Sequence, residues 1–146
     1  MNPKITPFIA KDQAAFKKLV LDNLKDFGFG YNPEYDSDLD DPTIYDKSGG
    51  ILYLLKVNDQ VLGSIAVINK GEMAELKRWY VSKKHQGKGF GTALMDKAIE
   101  FCERKDLKRI EFETNRKFTK AHELYKKRGF KIFREDADSF YMSKDL

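Results

Sequence analysis

The sequence predicts a mixed α/β domain built on one sheet, and three observations carry that prediction. Two apolar runs, Ile51 to Leu55 and Val61 to Ile68, flank a short polar turn, the pattern of a buried hairpin. A glycine-rich turn, Gln86-Gly87-Lys88-Gly89-Phe90-Gly91, then leads from a strand pattern into a helix pattern. After it, strand, helix and two more strands alternate to the end of the chain. At 146 residues the chain suits one domain, residues 1–146, large enough to bury a core without disulfides or metal.

Taken in order, Ile5 to Ile9 reads as a short strand, and Asp12 is placed to cap a helix carrying Phe16, Leu19, Val20, Leu24 and Phe27 at helical spacing. That stripe is expected to be core, and Gly28-Phe29-Gly30 ends the helix. Residues 31–48 carry Glu34, Asp36, Asp38, Asp40, Asp41 and Asp46 with no base before Lys47. The Asp36-x-Asp38-x-Asp40 spacing fails as a calcium loop, because Asp41 replaces the turn glycine and Lys47 the closing glutamate. The hairpin turns at Asn58-Asp59, and a second turn at Asn69-Lys70-Gly71 leads into a strand from Met73 to Val81. The helix after the glycines continues to about residue 103 with Leu94, Ala98 and Phe101 as its apolar face. Leu107 to Thr114 reads as the strand beside it, Phe118 to Tyr125 as a short helix ending at Gly129, and Phe130 to Phe133 and Phe140 to Met142 as the last strands.

The net charge of +4 suits an anionic partner, and the bases gather at Lys83, Lys84, Lys88, Arg116, Lys117, Lys120 and residues 126–128, around or after the glycine turn. Cations at 126–128 also complement a helix C-terminus. Cys102, the single cysteine, falls on a helical apolar face and reads as a small buried side chain. With no internal disulfide, no apolar leader after Met1 and no apolar run of membrane-spanning length, the expectation is a soluble cytoplasmic protein. Neither His85 nor His122 has a second ligand at metal spacing, and no G-x-S-x-G elbow is present, so metal and covalent catalysis are not expected.

The chemistry concentrates at the glycine turn. A helix start leaves backbone N–H groups unpaired, and no Ser, Thr, Asp or Asn precedes Gly91 to cap them. Glycines let such a backbone approach a ligand closely, so the free amides and the positive end of the helix dipole suit a phosphate or pyrophosphate between Gln86 and Thr92. The P-loop and dinucleotide-binding templates both fail on spacing. The turn instead follows Glu75-Leu76-Lys77-Arg78-Trp79-Tyr80-Val81, and Ala121-His122-Glu123-Leu124-Tyr125 comes later, ahead of Gly129-Phe130. Together these three pieces resemble the strand, the pyrophosphate loop and the A-x-x-L-Y-x-x-x-G-F helix of the GNAT superfamily of N-acyltransferases. The likeness covers residues 50–146 well and the N-terminal third weakly.

The resemblance implies a mixed, mostly antiparallel sheet of about six to seven strands with helices on both faces. It implies that acetyl-CoA is held by its pyrophosphate at Gln86, Gly87, Lys88, Gly89, Phe90, Gly91 and Thr92, and by its pantetheine arm at Trp79, Tyr80 and Val81. Asn115 sits where the family often places a cofactor contact, and Tyr125 where it places the general acid. The resemblance further implies that the strand before the loop splays from the strand at 107–114, with the cofactor in the gap. Chemistry agrees with these roles: a phenol with pKa ~10 stays protonated at neutral pH and can serve the leaving thiolate. Tyr125 also fits plain aromatic packing, and Glu75 reads either as a general base or as a solvent-facing strand carboxylate.

The expected reaction is direct transfer of acetyl to a primary amine within a ternary complex. The acidic stretch at 34–46 either favours a cationic acceptor or is a solvated loop, and the choice between monomer and homodimer stays open. Two other readings are an acyl-CoA sensor without turnover and a basic nucleic-acid-binding domain. The acidic stretch and the absence of an aromatic nucleic-acid motif speak against the second.

Overall fold

Seven strands form one sheet in the order β1-β2-β3-β4-β5-β7-β6. The computed structural model describes residues 2–146, and Met1 and the side chain of Lys120 lie outside the described residues. β1 is Lys4–Pro7, β2 Ile51–Val57, β3 Gln60–Asn69, β4 Met73–Val81, β5 Arg109–Asn115, β6 Lys131–Glu135 and β7 Ser139–Asp145. Every neighbouring pair is antiparallel except β4 and β5. The helices are α1, Gln13–Lys25; α2, Ile44–Lys47; α3, Phe90–Arg104; and α4, Thr119–Lys127.

The continuous apolar runs of β2 and β3 arise because both faces of the sheet are covered. Tyr53, Leu55, Ile65 and Val67 point to one side, where they pack with Leu94, Met95, Ala98 and Phe101 of α3 and with Tyr125 of α4. Leu52, Leu54 and Ala66 point to the other, under Phe16 and Val20 of α1 and Tyr45 of α2. The hairpin turn between β2 and β3 places Asn58 at φ 50° and Asp59 at φ 65°, the left-handed pair of a type I′ turn that matches strand twist. Cys102 is fully buried in the α3 core, and burial pushes its thiol up to about 12.

Two local expectations are corrected, and one element was not foreseen. Asp12 sits at the start of α1 but makes no side-chain cap; its carboxylate accepts from the Ile9 amide (3.2 Å) and from Lys56 (2.8 Å), tying the helix start to β2. Phe27 lies past the end of α1 and is 39 % exposed, so it leaves the apolar stripe that Phe16, Leu19 and Val20 bury. The acidic stretch holds α2, which its polar composition did not signal.

What positions the site is the behaviour of β4. It pairs with β5 only at Met73 to Glu75, opposite Arg109 to Glu111, and beyond that point the two parallel strands part. On its other edge β4 keeps to β3 but carries a bulge: Ser64 faces Tyr80 and Ala66 faces Lys77, so Arg78 and Trp79 together oppose Ile65. Arg78 takes φ 54° there, a left-handed conformation uncommon outside glycine.

Candidate functional site

The parting of β4 and β5 opens a cleft of about 750 Å³. One wall is the free edge of β4 from Leu76 to Val81, the other is Phe112 to Thr114 of β5, with the glycine turn at one end and Leu124 and Tyr125 of α4 beside it. Ser82 donates its amide to Leu62 of β3 (2.7 Å). By strand alternation Tyr80 also turns its backbone to β3, which leaves the backbone groups of Trp79 and Val81 facing the cleft. The Gln86 side chain reaches the Val81 carbonyl from that side (3.1 Å).

At the glycine turn, Gly87 and Gly89 have φ of 79° and 84°, and a Cβ on either would meet no atom within 4 Å. Gly89 is the N-cap of α3 and no side chain caps it. Among the described residues, no amide from Gln86 to Thr92 donates to another protein group. Lys83, Lys84 and Lys88 have no carboxylate partner among the described residues. An open cradle of unpaired amides at the positive end of a helix, beside unpaired cations, fits a diphosphate. The turn is held in place from below, since the Trp79 indole donates to the Gly91 carbonyl (3.0 Å).

The Tyr125 ring packs 4.9 Å from Trp79 and 4.8 Å from Phe112. Burial pushes its phenol up to about 12. Thr114 Oγ1 is itself buried without a hydrogen-bond partner. His122 packs against Phe140 with ring centroids 5.1 Å apart, and burial holds its imidazole below the ordinary value.

Of the residues singled out by sequence, Trp79, Tyr80, Val81, Gln86, Gly87, Gly89, Phe90, Gly91, Thr92 and Tyr125 line this one cleft. Lys88 and Asn115 stand outside its lining, and the Asn115 side chain instead accepts from the Lys117 amide (2.9 Å). Glu75 also stands outside, at the paired end of β4, where it meets Lys70 (3.1 Å). Glu113 of β5 is the one acidic residue among the described residues lining the cleft, and its carboxylate accepts the Ser139 hydroxyl of β7 (2.7 Å). Its alternation with Phe112 and Thr114 was readable in the sequence, but its side of the gap was not. Asn23 and Phe27 from α1 and Phe118 before α4 complete the lining, and the Phe27 and Phe118 rings meet edge to face at 4.4 Å.

Of the acidic stretch, Asp36 and Asp38 are buried while Glu34, Asp40, Asp41 and Asp46 are exposed. Asp36 and Asp38 pair with Arg78. Asp40 pairs with Lys17 (2.5 Å) and accepts from Tyr31, and Asp41 accepts from Thr43.

Residues 16–130 match the model of the acetyltransferase (GNAT) family. A curated relative, an uncharacterized N-acetyltransferase of Methanocaldococcus jannaschii, is 32 % identical over 85 residues; the match covers 53 % of this chain and 38 % of the relative. Among solved structures, a GNAT-family acetyltransferase from Staphylococcus aureus Mu50 superposes with a TM-score of 0.91 at 23 % identity, over 99 % of both chains. The PaiA N-acetyltransferase of Thermoplasma acidophilum, solved in complex with coenzyme A, superposes with a TM-score of 0.85 at 20 % identity over 100 % of both chains. At these identities the structural likenesses are likenesses of fold.

Proposed function

We propose, since the chain belongs to the acetyltransferase (GNAT) family, that it transfers an acetyl group from acetyl-CoA to a primary amine by direct attack in a ternary complex. The observation that carries this reading is the cleft between β4 and β5, which joins an amide cradle at one end to the buried phenol of Tyr125 and counts Glu113 of β5 in its lining. Acetyl-CoA supplies the thioester. Amides from Gln86 to Thr92 bind its diphosphate, and the cleft-facing backbone of Trp79 and Val81 binds the arm and the carbonyl oxygen on which charge develops.

Glu113 takes the proton that the attacking amine sheds, directly or through one water. Tyr125 gives its proton to the sulfur as the C–S bond breaks and the C–N bond is complete. A phenol held near 12 is a full proton donor at neutral pH. In this reading Glu75 has no catalytic part, and Asn115 and Lys88 act on the cofactor only from outside the lining. The acceptor is an amine on a small molecule or peptide, met in the cytoplasm. A cationic acceptor would meet Glu34, Asp40, Asp41 and Asp46, which stay exposed, whereas Arg78 holds Asp36 and Asp38.

The test is thiol release from acetyl-CoA by the purified chain with a polyamine, an amino sugar, an amino acid and a lysine peptide in turn. Amine-dependent release supports the transferase. Saturable acetyl-CoA binding with no release from any of them supports a sensor.

A further inference from the structure

Arg78 sits in the middle of the bulge, at φ 54°, where the side-chain-free residue is the cheap choice. A residue held in so sparsely populated a conformation is kept there by its surroundings, and here they grip it from both sides. On the sheet side, the buried Ser64 hydroxyl donates to the Arg78 carbonyl (2.6 Å). On the other side, Nε and Nη2 make a fork on Asp38 (2.8 and 2.7 Å), and Nη2 also reaches Asp36 (2.8 Å) and the Tyr35 carbonyl (3.2 Å).

The loop that supplies these acceptors is braced in turn. Asp36 accepts from the Asn32 amide (2.8 Å), and Asp38 from the Tyr45 hydroxyl of α2. Burial would disfavour the charged Asp38, but the bonds from Arg78 and Tyr45 outweigh it and hold the carboxyl below its usual range. Side-chain exposure is only 11 % for Arg78 and 8 % for Asp38, so water competes weakly for the pair. The next residue along, Trp79, is the first of the two whose backbone faces the cleft, Val81 being the other.

We infer that Arg78 is a positioning residue. Its fork on Asp36 and Asp38 sets the geometry of the bulge, and through it the aim of the Trp79 backbone into the cleft, so the acidic loop serves as the anchor of that fork. This rests on the proposed transferase reading. A geometric effect of this kind falls far more on turnover than on binding: a displacement of about 1 Å at a reacting centre can cost 10²-fold, while the diphosphate is held separately by the amides from Gln86 to Thr92.

The experiment compares the unmutated chain with Arg78→Gly, which keeps the left-handed backbone and removes the fork, and with Asp38→Asn, which keeps the arginine and weakens its anchor. Arg78→Lys keeps the charge but removes the fork. Each variant is checked for a cooperative melt, then measured for acetyl-CoA Kd by calorimetry and for kcat and acceptor KM with whichever amine the unmutated chain turns over. The expected result is a kcat lowered about tenfold or more in all three, unrescued by lysine, with the acetyl-CoA Kd within about threefold of the unmutated value. Equal kcat in any folded variant, full rescue by lysine, or loss of acetyl-CoA binding in step with kcat would overturn the inference while leaving the transferase reading intact. No turnover by the unmutated chain with any amine would overturn both.

Discussion

Burial of the Tyr125 phenol against Trp79 and Phe112 raises its pKa to about 12, and the direction of that shift decides its use. The folded chain holds this proton above the pH at which a free phenol loses it. The donor form therefore persists across the working range, and the alkaline fall of kcat should begin only above about pH 11. The same shift makes stability decline from about pH 10, where the unfolded phenol ionises first, up to about pH 12. Tyr125→Phe should lower kcat by about 10²-fold or more with acetyl-CoA affinity retained, as read by steady-state kinetics beside calorimetry. Glu113→Gln should lower kcat by a similar order while Glu75→Gln leaves it unchanged. Both glutamates look alike in the sequence, each being a carboxylate within a strand pattern. Only the place where β4 and β5 part tells them apart, and that is a property of long-range pairing. Tyr125 was legible because it falls within one short local pattern, Ala121 to Phe130, although the rings that bury it come from β4 and β5. The Arg78 fork was not, because its partners lie some 40 residues away in sequence and depend on the bulge.

At the scale of elements, the glycine turn and α3 were the plainest reading. A capless helix start with alternating glycines is a local pattern, and the structure keeps its cradle open as that pattern requires. The strands and three of the helices were likewise legible from apolar period. The short helix α2 was not, since its four residues sit among carboxylates whose order comes from distant Arg78 and Lys17. Phe27 was misplaced for a related reason: helical spacing extended to it, but the helix stops at Lys25 and the ring turns to Phe118 across the gap. That contact joins the end of α1 to the segment leading into α4, at one margin of the cleft. An edge-to-face pair contributes about 0.5–1.5 kcal/mol, so Phe118→Ala should raise the acceptor KM a few-fold and leave acetyl-CoA affinity unaltered, a split that initial-rate kinetics with both substrates resolves.

For the whole molecule, one seven-stranded sheet, covered on both faces at β2 and β3, parts between β4 and β5, and the cleft lies there. The expected mixed, mostly antiparallel sheet with helices on both faces is the architecture observed, with seven strands. Composition alone left the anionic partner open among nucleic acid, lipid and a polyphosphate; the lysines and free amides at the glycine turn give the positive charge a definite place. The central claim is that backbone amides at the tip of α3 hold the diphosphate of an acyl carrier. Calorimetric titration of the purified chain with acetyl-CoA, run beside Gly89→Glu, tests it most directly. The expected outcome is saturable binding by the unmutated chain and none by the variant, whose carboxylate enters and repels the cradle. Equal affinity in the two, or no binding by the unmutated chain, would contradict the claim.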